Sequence, residues 1–220
     1  MTQFETEIEE LREEVKKMWK LVRSQLTKTL DALVNFDKDL AREVVVKEKR
    51  VNAYELKIDL DCENIFALYQ PVAIDLRFLL AVLKINSNIE RIGDIAEGIA
   101  KYIIDTDKVF SEELSKQTRV LEMFQESIVM FEDTLKSFEN DDTTIARKVF
   151  KKDDFLDQIN VTSNETVEAY IKQNPEDINQ ALYALSIIRK LERIGDQSKN
   201  IAEEIIFYLE AKVLKHTKKS

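Results

Sequence analysis

Residues 90–94 read Glu-Arg-Ile-Gly-Asp, and the same five residues return unchanged at 192–196, an offset of 102. Working outward, Pro71 answers Pro175 at an offset of 104, and Leu40-Ala41-Arg42-Glu43-Val44 answers Ile145-Ala146-Arg147-Lys148-Val149 at 105. Small deletions in the turns account for the drift. Two of the three glycines and both prolines hold matched positions. Self-similarity at a period of ~100 residues means two copies of one structural unit, each the size of a small domain.

The unit is helical. Ile8, Leu11, Val15, Met18, Val22, Leu26, Leu30 and Leu33 recur at spacings of three and four, one face of a helix. The polar stretch Asn35-Phe36-Asp37-Lys38-Asp39 interrupts it with capping residues. Leu40, Val44, Val51, Ile58, Cys62 and Ile65 mark a second helix. It ends at Tyr69-Gln70-Pro71, because a residue before proline is pushed out of the helical region. Pro71 is expected to open a third helix in its first turn, with Val72, Leu76, Leu79, Leu83, Ile89, Ala96, Ala100 and Ile103 on its apolar face. Helices joined by turns this short form antiparallel bundles. Average usage would supply about 26 glycines and prolines together; this chain has Gly 3 and Pro 2, too few for the turns of a sheet. The expected fold is all-α: two tandem, pseudo-symmetric antiparallel three-helix bundles, 1–107 and 108–220, packed together.

Composition removes whole classes of function. Cys62 is the single cysteine, so neither a disulfide framework nor a Cys-rich zinc module can form. His216 is the single histidine and lies in the tail, which leaves the body without a histidine ligand or base. The net charge of −9 argues against nucleic acid; the basic tail from Lys215 to Lys219 reads as a fraying end. The first residues carry no basic and apolar leader, so no signal peptide is expected. The longest nearly unbroken apolar run, Phe78–Leu83, falls far short of the ~20 residues of a membrane span. A soluble, cytoplasmic protein is expected.

Within each repeated motif, Glu and Asp stand four apart and share a helix face, about 5–6 Å between Cβ atoms. Like charges at that spacing and a mid-helix glycine both cost stability. Keeping both costs twice implies a close neighbour at the glycine and a cation at the carboxylates. Counting helix depth from the prolines sets Glu90 and Asp94 opposite Asn52 and Glu48, and Glu192 and Asp196 opposite Asp157 and Asp153. The candidate metal ligands are therefore Glu48, Glu90 and Asp94, and Asp153, Asp157, Glu192 and Asp196. Such all-oxygen sets suit hard cations and disfavour structural zinc. The plainer alternative has Arg91, Arg193 and nearby lysines pairing the acids. Glu55 and Asp59 form a weaker acidic pair, since the repeat replaces them by Asn160 and Asn164. Trp19 and the spaced phenylalanines read as core or interface.

Gln70-Pro71-Val72-Ala73-Ile74-Asp75-Leu76-Arg77, followed by 88–100 (Asn-Ile-Glu-Arg-Ile-Gly-Asp-Ile-Ala-Glu-Gly-Ile-Ala) and 191–204 (Leu-Glu-Arg-Ile-Gly-Asp-Gln-Ser-Lys-Asn-Ile-Ala-Glu-Glu), resembles the PhoU family of bacterial phosphate-transport regulators. The resemblance covers essentially the whole chain. It implies a cytoplasmic, non-enzymatic negative regulator of phosphate uptake and of the phosphate-starvation response. The implied partners are an ABC phosphate transporter and its sensor histidine kinase, met at the membrane's cytoplasmic side. It also implies divalent or trivalent metal ions on the Glu/Asp-x-x-x-Asp motifs, with iron, Mn, Mg, Zn and Ca all open. Asn52 departs from a strict acidic pair with Glu48. A homodimer is expected, with Phe4, Trp19 and the apolar face of helix one as its candidate surface. The alternatives are an all-α, Mg-dependent nucleotide pyrophosphohydrolase and a structural helical scaffold.

Overall fold

The computed structural model describes residues 2–214, and its long segments are all helical. The first triplet is α1 (Gln3–Asn35), α2 (Lys38–Tyr69) and α3 (Ala73–Asp105); the second comprises α4 (Glu112–Thr118), α5 (Val120–Asn140), α6 (Thr143–Gln173) and α7 (Ile178–Glu210). Among the described residues there is no strand. The turn at 35–39 works as its composition suggests. Phe36 adopts φ 54 and ends α1, and the Asp37 carboxylate accepts from the N–H groups of Asp39 and Leu40 at 3.0 and 2.9 Å.

Two details differ from expectation. Pro71 does not open α3: Gln70 is left-handed, Val72 is extended with φ −128, and the helix starts only at Ala73. Pro175 instead begins a short 3₁₀ turn, Pro175–Asp177, that runs into α7. The second repeat also breaks its first helix, because Arg119 sits at φ 55 between α4 and α5. The break lets α4 turn onto α6 and α7, where Leu114 packs with Val167, Tyr170, Ala181 and Ala184 in a small core of its own. Burying that leucine offsets the cost of the kink.

Helices α3 and α7 form the centre. Helices α1 and α2 flank α3, and α5 and α6 flank α7. Between the triplets, Trp19 of α1 is fully buried against Phe131 and Phe138 of α5, with ring centroids 5.9 and 5.3 Å apart. This corrects the expected dimer surface. The apolar face of α1 is used inside the chain, and Phe4 packs on Tyr69 at 5.4 Å.

The motif offset of 102 turns the α3–α7 contact into a pseudo-two-fold. Lys84 pairs with Glu204 at 3.1 Å, and their counterparts Ser186 and Tyr102 are joined by a hydroxyl hydrogen bond at 3.0 Å. Asn200 donates to Asn88 at 3.4 Å, while their counterparts Gly98 and Lys190 also touch. The helices run antiparallel, and Gly93 and Gly195 fall at the same level in the middle. Interfaces related in this way are self-complementary, like those of a two-fold dimer.

Candidate metal centre

Each motif glycine has an acid from the neighbouring helix pressed against it. A Cβ on Gly93 would lie 3.1 and 3.2 Å from the Glu48 carboxylate oxygens and 3.3 Å from Val51 Cγ1. On Gly195 it would lie 3.1 Å from Asp153 Oδ1 and 2.8 Å from Leu156 Cδ2. Glu48 and Asp153 correspond at the offset of 105 that relates α2 to α6, as do Val51 and Leu156. Glycine stands here because a side chain would push the buried carboxylate aside.

In the first repeat no cation among the described residues pairs with that carboxylate. Glu48 is 5% exposed; Gln25 of α1 donates to Oε2 at 2.8 Å, and Oε1 has no hydrogen-bond partner. Burial first, and then the charges of Asp94, Glu97 and Glu90, push Glu48 up to about 7 against the Gln25 hydrogen bond. Glu90 is also pushed up to about 7, first by burial and then by Asp94 and Glu55. Asp94 itself is exposed. A buried carboxylate without a counter-charge, near one half-buried and one exposed acid, is an arrangement that a multivalent cation relieves. The residues present fit such an ion by donor chemistry and by the orphaned Oε1. As the side chains stand, no three acids, histidines or cysteines among the described residues close around a point.

The second repeat solves the same problem internally. Lys199 Nζ lies 2.5 Å from Asp153 Oδ2 and 2.8 Å from Asp196 Oδ1, joining α6 to α7. Burial alone would lower the Lys199 pKa, yet its hydrogen bonds to Asp153 and Asp196 carry it upward. Asp153 is raised by burial, with Lys199 opposing, and Glu192 is raised by burial and by Asp196 and Asp157. The plainer reading, acids paired by local cations, thus describes the second site through Lys199, while no described ion pair involves Glu48, Glu90 or Asp94.

Sequence reasoning missed Lys199 and Gln25. The repeat itself held the signal: Lys199 aligns with Glu97, and Gln25 with Met130, which approaches Gly195. Asn52, expected opposite Glu90, is exposed on α2. The weaker acidic pair has structural ties. Buried Asn86 donates to Asp59 and to the Glu55 carbonyl, both at 2.9 Å, and Arg189 donates to Asn164 at 3.1 Å. The basic tail with His216 lies outside the described residues. No described helix is long and apolar enough to cross a membrane.

Known proteins share the sequence and the fold of this chain. The PhoU domain family model matches twice, over residues 15–103 and 120–205. The chain is 33% identical, over 97% of its length and 88% of the relative's, to the phosphate-specific transport system accessory protein PhoU of Escherichia coli (strain K12). It is 36% identical to the homolog from Aquifex aeolicus (strain VF5), covering 96% of this chain and 94% of that one. The crystal structure of PhoU from Pseudomonas aeruginosa superposes with a TM-score of 0.86 at 29% identity, covering 96% of this chain and all of that one. With two copies of the family's domain, sequence kinship over almost its whole length and the same tertiary arrangement, this chain belongs to the PhoU family.

Proposed function

We propose that this chain is a cytoplasmic accessory regulator of phosphate transport that binds metal ions on the carboxylates of its repeated motif. Its two units, 1–107 and 108–220, each present oxygen donors: Glu48, Glu90 and Asp94 in the first, Asp153, Asp157, Glu192 and Asp196 in the second. The regulator restrains an ABC-type phosphate transporter and its sensor histidine kinase, acts as a homodimer and turns over no substrate. Kinship to proteins named for a phosphate-specific transport system supports the transport role. The single observation that carries the metal reading is the buried Glu48 Oε1, which lies against Gly93 with no hydrogen-bond partner among the described residues, near enough to Asp94 and Glu90 to feel their charge. A bound cation would supply the missing charge and leave coordination positions open to an outside oxygen ligand.

The test is made in bacterial cells lacking their own family member. The wild-type chain is expected to lower phosphate uptake and silence a phosphate-starvation reporter; a Glu48→Gln, Asp94→Asn double variant is expected to do neither. Unchanged uptake and reporter output with the wild-type chain would overturn the regulatory reading. Incubation of purified protein with nucleoside triphosphates and Mg²⁺ separates the hydrolase alternative, and no turnover is expected.

A further inference from the structure

The repeat relates the two acidic sites residue by residue, so their differences are as informative as their likeness. Glu90 and Glu192, Gly93 and Gly195, and Asp94 and Asp196 are matched on α3 and α7. One helical turn further on, the first repeat has Glu97 and the second has Lys199. Glu97 is held by Lys101 at 2.7 Å on its own helix. Lys199 instead reaches across the groove and bridges Asp153 to Asp196. On the far side, Gln25 of α1 donates to Glu48, whereas its counterpart Met130 sets only its terminal methyl near Gly195, 3.7 Å from where a Cβ would sit.

We infer that the two sites are not equivalent: Lys199 is a built-in cation that closes the second site, so this chain takes a multivalent cation at the first. The inference rests on the metal reading above and narrows it. Glu48, nine-tenths or more buried with Oε1 unpartnered, needs a positive charge that the described residues do not provide. Asp153 is as deeply buried, at 4% exposed, and already has one. An ion entering the second site must displace the Lys199 ammonium and leave that ammonium without its two carboxylates. Such displacement costs affinity, because breaking a buried pair strands a charge. The second site then holds α6 and α7 together whatever the cation supply, and the first alone responds to it.

Equilibrium dialysis of the purified full chain against Mn²⁺, with elemental analysis, tests this. Glu48→Gln is expected to abolish bound Mn²⁺, and Asp153→Asn to leave it unchanged. Lys199→Met, which keeps the length and removes the charge, is expected to raise bound Mn²⁺ roughly twofold by opening the second set of carboxylates. A purely structural lysine would not produce that gain. Equal losses in Glu48→Gln and Asp153→Asn would overturn the asymmetry, and that comparison stands even where Lys199→Met fails to fold. Mn²⁺ uptake by the wild type with no gain in a folded Lys199→Met sinks this inference and spares the metal reading; uptake by none of the proteins sinks both.

Discussion

The Glu48 carboxylate is packed against the bare backbone of Gly93, with both oxygens within 3.2 Å of where a Cβ would sit. The motif's glycine therefore makes room for an acid from another helix. Gly93→Ala gains helix propensity of about 1 kcal/mol and spends it on moving Glu48 away from Gln25. The melting temperature should change little, while Mn²⁺ affinity falls. Thermal unfolding and dialysis on the same preparation check the split.

A buried carboxylate without a counter-charge weakens the chelated protein. Glu48 has its folded pKa near 7, above the ordinary 4.5, so the folded chain holds a proton that the unfolded chain releases between those values. Its contribution to stability therefore falls as pH rises through that window. Glu48→Gln in chelator at pH 7.5 should raise the melting temperature by about 2–6 °C, and the gain should shrink toward pH 4.5. A thermal melt series across pH reads it. Adding Mn²⁺ should stabilise the wild type and not the variant.

Cys62 is fully buried on α2, and burial pushes its thiol up to about 12, with Asp59, Asp61 and Glu63 adding to the shift. Thiolate-directed reagents at pH 8 should leave the folded chain unlabelled and modify one thiol after unfolding in guanidinium. Mass spectrometry of both samples decides the matter.

Trp19 is the only tryptophan and seals α1 against α5. Its emission should be blue-shifted and resistant to quenchers in the native chain. Trp19→Ala should cost about 3–5 kcal/mol, as large-to-small changes in full burial do. Chemical denaturation of the variant measures that loss.

Several of these features are legible before any coordinates. The repeated Glu-Arg-Ile-Gly-Asp and the three- and four-residue apolar spacing specify two helical triplets, and depth counting from the prolines sets Glu48 and Asp153 at the level of the motifs. Helix starts are less legible. Pro71 offers a valid first-turn residue, yet the left-handed Gln70 and extended Val72 delay α3 by two residues. Likewise, nothing local to Thr118-Arg119 announces the break before α5; the burial of Leu114 on α6 and α7 selects it.

Periodicity and self-similarity are properties of the chain's order, so the amino-acid string alone determines that this protein is helical, doubled and rich in paired acids. Which acid is neutralised and which is only hydrogen-bonded depends on groups far apart in that order: Lys199 with Asp153 across 46 positions, and Gln25 with Glu48 across 23. Electrostatic interaction falls with distance through space and with exposure to water, and only packing α1, α2 and α3, or α5, α6 and α7, into their grooves sets those two quantities. The tertiary structure therefore decided that one carboxylate nest carries its own cation and the other does not.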